Sequence, residues 1–207
     1  MYKKPIIVFE GIEASGKSLH IKNVSRYLKK NKLKFIKIRE PGGNPNSEKI
    51  RKLILNNKSN FNQITDLYLY LASRSENMEK IIKKNYKKKI ILIDRFLDST
   101  IAYQHYGMGL DKNIININNK FILKGLKVDF TFLNIVNKKN LLKRLKKRVI
   151  LNRYDKFQMK FYNKVQNGFI KISKKNKSNY LIINSNLDIK KNKEIVVKKL
   201  KRILNIR

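Results

Sequence analysis

The chain has 207 residues, 42% of them hydrophobic, which suffices for a folded domain with a real core. Its 50 basic residues stand against 14 acidic ones, a formal charge of +36, while cysteine is absent and histidine occurs twice, so disulfide scaffolds, thiol nucleophiles and Cys- or His-rich metal sites are excluded. No apolar run is long enough to cross a bilayer, and the expectation is a cytoplasmic protein without a membrane segment.

In chain order, Pro5 to Glu10 is an apolar run that stops at glycine, and residues 18–30 carry apolar positions at Leu19, Ile21, Val24 and Leu28. That is a strand, a loop and a helix. Phe35 to Ile38 is a second strand, followed by Arg39-Glu40-Pro41-Gly42-Gly43, where a proline and two glycines forbid regular structure. Helical patterns cover 47–55 and 64–86, and Lys89 to Asp94 is a strand of buried type that ends in an acid. Further strands are expected at 128–133 and 180–184, and further helices at 114–126, 141–148, 157–173 and 189–204. Alternating strands and helices, about five of each, describe an α/β fold of three layers, a five-stranded parallel sheet covered on both faces. Neither a linker nor a repeat divides residues 1–207, so one domain is expected, with a basic lid segment near 147–155.

Gly11-Ile12-Glu13-Ala14-Ser15-Gly16-Lys17-Ser18 matches G-x-x-x-x-G-K-[ST] between a strand and a helix. The glycines let successive backbone N–H groups turn inward on a phosphate, and the helix N-terminus adds its dipole. Lys17 supplies a point charge for the β and γ phosphates, and Ser18 a hydroxyl for Mg²⁺. Asp94 and Arg95 end the third strand, where ligands bind in an open parallel sheet: Asp94 suits Mg²⁺ or its water, and Arg95 can fork onto phosphoryl oxygens. The bland reading of this pair is a helix cap with a neighbouring ion pair. Lysines outnumber arginines 40 to 10 and are scattered through the whole chain, a global bias that fills tolerant surface positions. Lysine cannot replace arginine where a planar fork grips phosphate, so Arg39, Arg74, Arg144, Arg148 and Arg153 draw interest.

Five segments resemble the thymidylate kinase family in order and spacing: Phe9 to Ser18, Arg39 to Gly43, Tyr70 to Arg74, Asp94 to Gln104, and Arg153-Tyr154-Asp155. The resemblance spans essentially the whole chain and implies a P-loop fold that phosphorylates dTMP to dTDP with ATP and Mg²⁺, toward dTTP for DNA synthesis. It implies that Arg74 and Gln104, with Thr100 nearby, read the thymine edge, and that Tyr70 stacks on the ring. Tyr103 would lie under the deoxyribose, while Arg39, Glu40, Pro41 and Arg95 border the monophosphate. Glu13 stands where some members carry a basic residue, an arrangement in which the lid supplies arginine instead, Arg153 first with Arg144 and Arg148 behind it. Met108 replaces an arginine common among relatives. A homodimer built on helices near 64–86 and 98–106 is also implied.

Because the acceptor is already a phosphate, the reaction needs positioning and charge neutralisation by Lys17, Arg95 and Arg153 with Mg²⁺, and no general base. Two alternatives stay open at this point: another nucleoside or nucleoside-monophosphate kinase of the same fold, and a nucleic-acid-binding P-loop ATPase suggested by the charge. The Arg39–Gly43 and Thr100–Gln104 segments speak against the first. The lack of an RNA-binding aromatic signature speaks against the second, and no nucleic-acid partner is expected.

Overall fold

A computed structural model describes residues 4–206. In chain order the elements are β1 (Ile6–Glu10), α1 (Lys17–Lys30), β2 (Phe35–Arg39), α2 (Pro45–Leu55), and α3 (Gln63–Asn77), which a π turn at Met78–Ile82 joins to α4 (Lys83–Asn85). Then come β3 (Ile90–Asp94), α5 (Leu97–Thr100) running into a π-helical stretch at Ile101–Gly107, α6 (Lys112–Leu123) and β4 (Phe130–Ile135). The chain ends with α7 (Lys138–Lys146), a short 3₁₀ turn at Arg153–Lys156, α8 (Met159–Lys175), β5 (Tyr180–Asn184) and α9 (Ile189–Leu204). None of the described helices is long and apolar enough to cross a membrane.

The five strands form a wholly parallel sheet in the order β2-β3-β1-β4-β5. Every residue of β1 is buried, as a strand covered on both faces requires. Ile7 and Phe9 pack with Ile21, Val24 and Leu28 of α1 and with Val196, Leu200 and Leu204 of α9. Ile6 and Val8 point the other way, onto Met78, Ile82, Ile91 and Ile93. Each such aliphatic side chain contributes roughly 1.5–3 kcal/mol on burial.

The boundaries differ from the sequence pattern at several elements, and the helices expected at 114–126, 141–148 and 157–173 run over Lys112–Leu123, Lys138–Lys146 and Met159–Lys175. The strand expected at 128–133 begins at Phe130, because Asp129 is spent on β1: its carboxylate accepts from Ile6 N–H at 2.8 Å, while its own N–H donates to Ile6 O at 3.1 Å. The helix expected over 64–86 is interrupted by the π turn, and it starts at an Asn62 side chain that accepts from Thr65 N–H. The segment 97–107, which shows little apolar periodicity, is helical because α8 covers it. A β-carbon on Gly168 would lie only 2.6 Å from the Tyr106 ring, so glycine is what allows the two elements to approach.

The chain leaves β1 toward β2 on one side and β3 toward β4 on the other. A crevice therefore opens beyond the carboxyl ends of β1 and β3, where Gly11 and Arg95 stand.

Candidate active site

The loop after β1 is shaped by its glycines. Gly11 has φ +139°, and a β-carbon there would sit 2.4 Å from Asn134 O. Gly16, at φ +99°, caps the start of α1, so the N–H groups of the first turn face the crevice. Lys17 is buried, and its ammonium donates to Gly11 O and Ile12 O, both at 2.8 Å. Burial, with Arg95 nearby, lowers it to about 7. A phosphate entering the loop supplies the counter-charge that these two carbonyls only partly provide.

The opposite wall begins at Arg95, whose φ of +66° is a left-handed conformation that residues with a side chain disfavour. That conformation turns the guanidinium back toward the loop. Nη1 donates to Gly11 O and Nη2 to Glu13, each at 2.9 Å, and the group lies 5.2 Å from the Tyr103 ring centre. The Tyr103 hydroxyl donates to the other Glu13 oxygen. Glu13 thus occupies the fork of Arg95 from within the phosphate loop.

Arg74 is 1% exposed and reaches four partners. Nε donates to Glu40 at 2.8 Å and Nη1 to Asn119 at 2.6 Å, while Nη2 donates to Phe96 O and the Thr100 hydroxyl, both at 2.9 Å. Glu40 belongs to the loop after β2. That loop is held by Gly42 N–H donating to Ser73 Oγ at 3.1 Å and Asn77 Nδ2 donating to Gly42 O at 2.6 Å. Burial pushes the Glu40 carboxyl above the usual range, against the pull of Arg74. On the same cavity as Arg74, the Gln104 amide nitrogen is buried and meets no partner among the described residues.

These groups surround one cavity of about 400 Å³. Glu13, Ala14, Ser15, Gly16, Lys17, Ser18, Glu40, Pro41, Tyr70, Arg74, Asp94, Arg95, Thr100, Tyr103 and Gln104 all line it. Gly11 and Ile12 do not, and act through the carbonyls that hold Lys17. Two expected residues also lie outside. Arg39 turns to the surface, its side chain 54% exposed, and pairs with Glu48 at 3.0 Å. Arg153 is drawn to Asp66 in the first turn of α3, at 2.5 and 2.7 Å.

The cavity instead receives Arg51, Arg144 and Arg148. Arg51 comes from α2 and donates to Pro41 O at 2.7 Å. In the sequence it carries the same signal as the others, an arginine kept amid lysines. Arg144 ties the phosphate loop to the turn after β5, donating to Ala14 O at 3.1 Å and Ser185 O at 2.6 Å. Arg148 pairs with Asp155 in the segment after α7.

A phosphate-binding loop at the switch point of a parallel sheet, opening on a single arginine-lined cavity, defines the site of a P-loop phosphotransferase. The family model for thymidylate kinase matches residues 9–196. The chain is 36% identical to the thymidylate kinase of Kosmotoga olearia, covering 93% of each chain, and 37% identical to that of a Sulfurihydrogenibium species, covering 95% and 96%. The crystal structure of thymidylate kinase from Ehrlichia chaffeensis superposes with a TM-score of 0.77 at 33% identity, covering 95% of this chain and 98% of that one. The chain belongs to the thymidylate kinase family and is a kinase.

Proposed function

We propose that this protein transfers the γ-phosphoryl group of ATP to dTMP, giving ADP and dTDP, in the cavity between the phosphate loop and Arg74. The observation that carries the acceptor is that Arg74 and Gln104 line the same cavity. Four of the five guanidinium N–H groups of Arg74 are spent inside the protein, leaving one on Nη1. That donor and the Gln104 Nε2 donor suit a carbonyl oxygen on the base edge, and the Gln104 amide oxygen can accept from a ring N–H beside it, as thymine offers. Cytosine presents an amino donor at that place, and a buried donor facing another donor is costly. Thr100 holds Arg74, Tyr70 forms the wall beside the base, and Tyr103 closes the space where a deoxyribose would lie.

At the donor end, Lys17 and the N–H groups of 13–18 hold the β and γ phosphates. The acceptor phosphate sits between Arg95, Arg51 and the Glu40-Pro41 loop. For Arg95 to grip it, the guanidinium gives up part of its present bonding to Glu13 and Gly11. An oxygen of the dTMP phosphate then attacks Pγ and the Pγ–O bond to ADP breaks, with Lys17 and the arginines offsetting charge as it moves between oxygens. Arg144 and Arg148 reach the cavity from α7 and the segment after it, and take the part that the resemblance implies for Arg153. Ser18 and Asp94 both line the cavity, and their hydroxyl and carboxylate oxygens are hard donors that would hold a Mg²⁺. Bound there, the ion neutralises phosphate charge.

The protein works as a cytoplasmic homodimer in this reading. α3 carries no lysine in a chain with 40 of them, and it exposes Ile64 and Tyr68 beside Ile114, Ile117 and Phe121 of α6. A copy of so basic a chain can approach closely only on such a face. The segment 98–106, by contrast, is packed against α8. The test of function is a panel of acceptors with ATP and Mg²⁺: dTMP should turn over far faster than dCMP, AMP or GMP, and equal rates overturn the assignment.

A further inference from the structure

Glu10 ends β1, directly before the phosphate loop, and is fully buried. It does not line the cavity of the phosphate loop, yet three donors converge on its carboxylate. Oε1 accepts from Phe96 N–H at 2.8 Å and Ser99 N–H at 3.3 Å, and Oε2 accepts from the Ser99 hydroxyl at 2.5 Å. The β1–β3 ladder explains the geometry. Arg95 N–H donates to Phe9 O at 3.0 Å as the last backbone rung, and the next donor, Phe96 N–H, is caught by the Glu10 side chain. Between these two anchors stands Arg95 in its left-handed conformation, φ +66°. Backbone of that kind persists only where its surroundings hold it.

We propose that Glu10 is a positioning residue: its carboxylate fixes the backbone after Arg95, so that the guanidinium meets the phosphate loop and the helix bearing Thr100, Tyr103 and Gln104 begins in register with it. The inference rests on the dTMP kinase reading above. Burial and the neighbouring Asp98 carboxylate push Glu10 up to about 7, which makes its charge costly in this place. An apolar side chain would fill the space without that cost but would leave Phe96 and Ser99 without their acceptor.

Glu10→Ala, Glu10→Gln and Glu10→Asp are compared with wild type in steady-state assays with ATP and dTMP, each first shown to be folded by circular dichroism. Glu10→Ala should lose on the order of a hundredfold in kcat, the effect of misplacing a phosphate-gripping group by about an ångström. KM for ATP should stay within about twofold, because Lys17 and the loop N–H groups are untouched. Glu10→Gln should recover most of the loss, since an amide oxygen still accepts from Phe96 and Ser99 N–H. A folded Glu10→Ala variant with wild-type kcat overturns the inference, and so does a Glu10→Gln variant as impaired as Glu10→Ala. If Glu10→Ala does not fold, Glu10→Asp decides: it keeps the charge and loses the reach, and an unchanged kcat overturns the inference. Wild-type protein that transfers nothing to dTMP overturns the substrate reading instead, before any variant is made.

Discussion

Replacing Arg74 by methionine removes the guanidinium while filling much of its volume. Arg74 and Glu40 are 1% and 4% exposed and meet at 2.8 Å, so the substitution leaves a buried carboxylate without its cation. Breaking a pair of this kind costs about 3–5 kcal/mol. At about 2–4 °C per kcal/mol for a chain of this size, the melting temperature should fall by roughly 6–20 °C. The pH dependence has a definite sign. Burial already holds Glu40 above the usual carboxylate range, so its contribution to stability is present at low pH and declines as pH rises through the folded-state value. Without Arg74 that value rises further. The penalty should therefore be larger at an alkaline than at an acidic pH, because a proton taken up by Glu40 relieves its unpaired charge. Thermal unfolding of wild type, Arg74→Met, Glu40→Gln and the double variant, at both pH values, closes the cycle. The two changes should couple by about 1–3 kcal/mol. A penalty under about 1 kcal/mol, one that ignores pH, or a double variant equal to the sum of the singles would refute the reasoning.

Two further outcomes follow from the site and the surface. Arg51→Ala removes a charge-assisted donor worth about 1.5–3 kcal/mol, so KM for dTMP should rise about tenfold or more with KM for ATP unchanged, and an unaltered dTMP KM takes Arg51 out of the acceptor end. Phe121, 76% exposed on α6, lies on the apolar face shared with α3. Phe121→Asp should convert a dimer to a monomer in sedimentation velocity, and a wild-type chain that sediments as a monomer refutes that face.

Much of the architecture is legible along the chain because its causes are local. The run Tyr180–Asn184 and the amphipathic stretch Ile189–Leu204 are a strand and a helix with the bounds their residue pattern predicts. The phosphate loop is a single stretch whose glycines dictate its shape, and Asp94-Arg95 follows an unmistakable buried strand. Nearness in sequence misled at Arg39. It adjoins the Pro-Gly-Gly loop, but alternation along β2 turns its side chain outward. Arg153 sits in a basic segment like its neighbours, and nothing nearby announces Asp66, 87 residues away.

By itself, then, the sequence determined the parallel α/β order, the phosphate loop and the pool of arginines from which a site could be built. Only the tertiary structure decided which of them converge: Arg51 on Pro41, Arg144 across to Ser185, and Glu10 beneath Arg95. The reason is physical. Backbone periodicity and loop chemistry act over a few residues, whereas a charged side chain goes where a partner compensates its burial, and those partners are brought within reach only once the sheet and its helices have packed.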